Sequence, residues 1–95
     1  MRNYELTFIV RADLEEEAID AVIDKFTGLI KNNGGEVTEV EKWGKRRLAY
    51  SIQKQNDGFY VIVNFKAEPA VSHELERVLK ITDEVLRHVV IRKEE

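Results

Sequence analysis

Cysteine is missing from all 95 residues. Its absence excludes disulfide staples, thiolate metal sites and cysteine nucleophiles. Small secreted domains often depend on such staples, so their lack points to a reducing cytosol. Proline occurs once, at Pro69, far too rarely for a disordered chain. No apolar run approaches the ~20 residues of a membrane span, so no membrane partner is expected. The opening MRNYELTFIV lacks the basic leader and long apolar stretch of a signal peptide. A strong charge of either sign is missing too: the formal net charge is -3. Taken whole, that balance argues weakly against nucleic acid. The sign varies along the chain, however, and the variation carries the information.

What is present suffices for one small domain over residues 1–95, with an apolar fraction of 43% to fill one core. Residues 3–10 alternate: Tyr4, Leu6, Phe8 and Val10 share one face, and Asn3, Glu5, Thr7 and Ile9 the other. That is a half-buried strand. A helix follows at about 14–32, with Asp13 as its N-cap and Glu16 completing a capping box. Ala18, Ile19, Val22, Ile23, Phe26, Leu29 and Ile30 recur at helical spacing, and Asn33-Gly34-Gly35 supplies the stop. Residues 36–52 read as a long strand with a bulge at Gly44. The stretch QKQNDG, ending in Asp57-Gly58, is a turn signal. Residues 58–66 form the strongest strand, with Phe59, Val61, Val63 and Phe65 on one face and Tyr60, Ile62 and Asn64 on the other. Pro69 opens a second helix, Thr82-Asp83 breaks it, and 85–92 form a last strand.

The order is βαββαβ. It implies an α+β, ferredoxin-like split βαβ fold: a four-stranded antiparallel sheet, strands one and three central, two helices on one face. The other sheet face is left open. On it fall Ile9, Tyr60 and Ile62, joined by Val89 and Ile91 if Leu86, His88 and Val90 of the last strand point to the core. RNA recognition modules share this fold but stack bases on aromatics. Here Val61 sits where such an aromatic is needed, and strand one offers Thr7 and Glu5. An aliphatic strip suits another protein better than bare bases. The alternatives are a homodimer interface or a mildly apolar solvent face.

Base is gathered in EKWGKRRLAYSIQK, where Lys42, Lys45, Arg46, Arg47 and Lys54 surround Trp43 and Tyr50. Guanidinium groups match phosphate oxygens, and phosphate neutralisation dominates nucleic-acid affinity. A bulge or loop would let Lys45, Arg46 and Arg47 reach one phosphate ridge. The plainer alternative is a charged edge strand that resists aggregation. An enzyme finds little support: His73 and His88 are far apart, and no triad, metal-ligand pairing or phosphate loop is present. No catalytic residue, metal, cofactor or small-molecule substrate is expected. The fold also serves homo-oligomeric small-molecule sensors and protein-interaction modules, which fold alone does not exclude.

The run Gly44-Lys45-Arg46-Arg47-Leu48-Ala49-Tyr50-Ser51-Ile52 resembles the signature of the bacterial small-subunit ribosomal protein six family. So do the opening MRNYEL, the segment GFYVIVNF and the late LRHVVIR. The resemblance spans essentially the whole chain. It implies a cytoplasmic, structural component of the small ribosomal subunit that binds the central domain of 16S rRNA as a heterodimer with ribosomal protein eighteen. Carried over onto this chain, it implies RNA contacts at Arg2, Lys45, Arg46, Arg47, Arg87 and Arg92. Tyr4, Trp43 and Tyr50 are candidates for RNA or partner contact. Ile9, Tyr60, Ile62, Val89 and Ile91 are candidates for the partner-protein interface.

Overall fold

A computed structural model describes residues 1–52 and 54–93. Six elements follow one another: β1 (Arg2–Arg11), α1 (Glu16–Asn32), β2 (Glu36–Ile52), β3 (Gln55–Ala67), α2 (Pro69–Lys80) and β4 (Val85–Lys93). The strands form one antiparallel sheet in the order β2-β3-β1-β4. The order βαββαβ and the central place of β1 and β3 are as the alternation implied.

The core lies between one sheet face and the two helices. Tyr4, Leu6, Phe8 and Val10 of β1 and Val61, Val63 and Phe65 of β3 are buried there, with Phe59 packed at the margin. Helix α1 adds Ile19, Val22, Ile23, Phe26 and Ile30; α2 adds Val71, Leu75, Val78 and Leu79. Both sets repeat at three- and four-residue spacing, so each helix turns one stripe inward. Removing such a side chain from water is worth roughly 1.5–3 kcal/mol. Phe8 meets Phe26 edge-on at 5.2 Å, joining sheet to α1.

Element ends show where local rules gave way. Asp13 does not cap α1. The N-cap is Glu15, without a side-chain cap bond. Asp13 instead accepts two hydrogen bonds from the Arg11 guanidinium, at 3.2 and 2.9 Å. That bonding holds its carboxyl below the usual value. At the other end, Gly34 adopts φ 86, the left-handed stop that Asn33-Gly34-Gly35 promised. Pro69 stands in the first turn of α2, where its missing N–H costs nothing. Thr82 donates to the Val78 carbonyl at 2.6 Å and accepts from Lys25 Nζ at 3.2 Å, fastening the end of α2 to α1.

The β2–β3 hairpin is longer than its sequence suggested. Asp57-Gly58 is no turn: Asp57 pairs with Arg47 and Gly58 with Arg46, inside the ladder. The reversal lies at the start of the QKQNDG stretch instead, at Lys54 with φ 65; Gln53 is outside the described residues. Gly58 has a steric duty instead. A Cβ there would meet Ile9 Cγ2 at 2.3 Å and Leu48 Cδ2 at 3.3 Å. Gly44, at φ 88, marks a bulge between Lys42 and Gly44 as expected.

Candidate protein and nucleic-acid interface

Both helices lie behind the sheet, so its other face is free of them. Cross-strand register fixes what that face presents. Ile9 sits between Tyr60 and Arg87, Thr7 between Ile62 and Val89, and Glu5 between Asn64 and Ile91. The five expected interface residues, Ile9, Tyr60, Ile62, Val89 and Ile91, therefore share one face. They are not equally available. Val89 and Ile91 are 43% and 50% exposed, whereas Ile9 and Ile62 are each 8% exposed.

Part of that covering comes from the hairpin itself. From Arg47 to Ile52, β2 advances five residues, while β3 advances two from Asp57 to Gln55. The surplus takes Leu48 and Tyr50 out of the regular ladder and over the open face. Leu48 is buried beside Ile9 and Gly58, outside the main core. Tyr50 Oη accepts a hydrogen bond of 2.7 Å from Arg87 Nη1. This ties the hairpin across the sheet to β4. A recess lined by Ile9, Leu48, Tyr50, Ile52, Tyr60 and Arg87 lies beneath. The Leu48-Ala49-Tyr50 triplet thus serves the fold, with Leu48 as an apolar plug and Tyr50 as a hydroxyl latch. Sequence reasoning missed that role; the trace it left is that Val37 and Val40 do not alternate cleanly with Leu48, Tyr50 and Ile52.

The expected RNA-contacting cations divide into two groups. Lys45, Arg46 and Arg47 are exposed on the edge strand β2, and exposed Arg87 lies across the same end of the sheet. Arg2 and Arg92 are exposed at the opposite end, near Tyr4. Arg2 lies seven steps of about 3.4 Å from Ile9, roughly 24 Å along β1. The six do not form one patch. Nor does a bulge turn Lys45, Arg46 and Arg47 to one side. That expectation fails because they pair regularly with Phe59, Gly58 and Asp57, so their directions alternate. Arg46 falls on the open face beside Arg11; Lys45 lies on the helix side, by Leu14, Ile19 and Phe59. Their position on the rim, not a shared face, makes them jointly reachable.

Lys42 is committed elsewhere. Its Nζ pairs with Asp20 of α1, a hydrogen bond that raises its pKa. Among the aromatics, Trp43 and Tyr50 are exposed at the hairpin. Tyr4 is buried and stacks on Phe65 with centroids 5.3 Å apart, so its ring belongs to the core.

The comparisons with known proteins agree with this architecture. The family model described as Ribosomal protein S6 matches residues 3–92. The chain belongs to the ribosomal protein S6 family. A relative from Moorella thermoacetica, small ribosomal subunit protein bS6, is 57% identical over 95 residues, spanning 100% of this chain and 97% of its own. Its namesake from Heliobacterium modesticaldum is 56% identical over 95 residues, spanning 100% of this chain and 99% of its own. Among solved structures, 30S ribosomal protein S6 from Thermotoga maritima superposes with a TM-score of 0.91 at 30% identity. That match covers 97% of this chain and 87% of the other. As a member of the S6 family, the chain is a protein of the small ribosomal subunit and of the translation machinery.

Proposed function

We propose that this S6-family chain binds the central domain of 16S rRNA jointly with ribosomal protein eighteen, as a structural and non-catalytic component. The single observation that carries the reading is the helix-free sheet face. It carries an exposed aliphatic strip at Val89 and Ile91, with Arg46 and Arg87 toward its hairpin end and Lys45 and Arg47 on the adjoining rim. Apolar surface of that kind gains from burial against protein. The rim gains from phosphate through counterion release, without needing base-specific geometry. Trp43, half exposed on the same hairpin, adds a stacking surface for a base or sugar.

The reading is tested by changing Arg46 and Arg47 together to Ala. Both are exposed on an edge strand, so folding is retained. Capture of a 16S central-domain fragment in the presence of ribosomal protein eighteen is expected to weaken. The slope of log affinity against log salt should fall by about 1–2, roughly one for each phosphate no longer neutralised. Unchanged affinity and slope would remove the basic hairpin from the RNA interface.

A further inference from the structure

We propose that Asn33 is a spontaneous modification site, converted to aspartate and isoaspartate through a cyclic imide formed with Gly34, at the stop that ends α1. The conversion needs no partner and no cofactor, only water.

Sequence selects the residue. Asn3, Asn32, Asn56 and Asn64 precede Tyr4, Asn33, Asp57 and Phe65, and only Asn33 precedes a glycine. Ring closure brings the next backbone nitrogen onto the side-chain carbonyl carbon, an approach that a following side chain obstructs. Asparagine is for this reason a thermolabile residue. The structure leaves the site room. Residues 31–34 are exposed, and a Cβ placed on Gly34 meets nothing within 4 Å. Asn3, Asn56 and Asn64 lie instead within β1 and β3.

Two hydrogen bonds engage the reacting groups while the helix end is closed. Asn33 Nδ2 donates to the Leu29 carbonyl at 2.7 Å, and the Gly34 N–H donates to the Lys31 carbonyl at 3.1 Å. Both must open before the nitrogen is free to lose its proton and turn on Cγ. That opening is local, because helix ends fray at small cost. The next residue limits it: Gly35 donates to the Ile30 carbonyl at 2.8 Å, and the backbone oxygens of Ile30 and Lys66 crowd its Cα.

The Gly34 nitrogen then attacks Asn33 Cγ. The N–Cγ bond forms, the Cγ–Nδ2 bond breaks, and Nδ2 leaves as ammonia with the proton from Gly34. Water opens the imide at either carbonyl. Attack at Cγ returns an ordinary aspartate; attack at the main-chain carbonyl leaves the chain running through Cγ as isoaspartate. Both products replace the donor to Leu29 with a carboxylate, at the helix end where negative charge is disfavoured. Isoaspartate also lengthens the main chain by a methylene just before the left-handed Gly34. The stop between α1 and β2 is thereby loosened.

The experiment ages the full chain in mildly alkaline buffer, native and in guanidinium chloride. Acidic species are followed by isoelectric focusing, and the tryptic peptide beginning at Asn32 is mapped by mass spectrometry. The expected product gains the mass of NH2 exchanged for OH, splits into an aspartate and isoaspartate pair, and is absent from Asn33→Gln. Its formation should be about tenfold slower in the native chain than in the denatured one, as for a frayed helix end. Conversion mapping to another asparagine, or aspartate without isoaspartate, overturns the site or the ring route. Equal rates in both states overturn the restraint by the two hydrogen bonds. Conversion in denaturant alone overturns the local opening. Asn33→Asp, made directly, is expected to raise amide exchange at Gly35 about two- to fivefold; unchanged exchange overturns the loosening.

Discussion

Single residues divide here between those read by type and those read only by place. Two glycines show the difference. Gly44 has open space around its Cα but sits at φ 88; Gly58 has no unusual φ but is pressed against Ile9 and Leu48. Gly44→Ala is therefore a backbone-strain variant, expected to lose about 1–2 kcal/mol in denaturant unfolding. Gly58→Ala is a packing variant, expected to lose about 1–3 kcal/mol. Pairing it with Ile9→Ala tells them apart: removal of the Ile9 side chain, the nearer neighbour at 2.3 Å, gives a new Cβ at 58 room and does nothing for strain at 44. Additive losses at 58 and 9 would contradict the crowding argument. Gly58 reads as half of a turn because Asp-Gly is a turn signal in isolation. The neighbour that requires glycine comes from β1, far off in sequence, and no local rule sees it. Asp13 fails as a helix cap for a similar reason: Arg11 lies two residues away and takes its carboxylate.

At the level of elements, the helices and the two central strands were legible because each keeps one period throughout. The stripe from Ile19 to Ile30 and the alternation from Tyr4 to Val10 allow one packing only. β2 was legible as a strand over 36–52, and its bulge at Gly44 was found, but not its register against β3. Three register shifts along β2 decide which of its side chains meet which face, and a shift is set by the partner strand. β4 behaves similarly. The shift between Ile9 and Val10 brings Val85 into the core and leaves Leu86 half-buried, although alternation puts Leu86 on the core side. The Leu48–Tyr50 segment carries its own prediction. Leu48→Ala should cost about 2 kcal/mol and raise amide exchange at the hairpin end and at Ile9, with exchange in α2 unchanged relative to global unfolding. Uniform acceleration across the chain would mean that Leu48 supports the main core instead.

For the molecule as a whole, one asymmetry organises the rest: helices close one side of the sheet and leave the other to partners. The existence of an open face could be read from element order, and its aliphatic members from alternation. That Ile9 is already largely covered could not, because the covering strand end folds back through a surplus of residues no pattern announces. The grouping of cations into two distant ends was equally hidden, since linear proximity of Arg2 to Tyr4, or of Arg87 to Arg92, says nothing about rows of a sheet. The decisive measurement is a hydrogen-exchange footprint of the full chain, free and assembled with ribosomal protein eighteen and a 16S central-domain fragment. The account predicts new protection at Val89 to Ile91 and along Lys45 to Arg47, with the outer surfaces of α1 and α2 exchanging as in the free chain. Protection confined to α1 and α2, with the sheet strands unchanged, would contradict it.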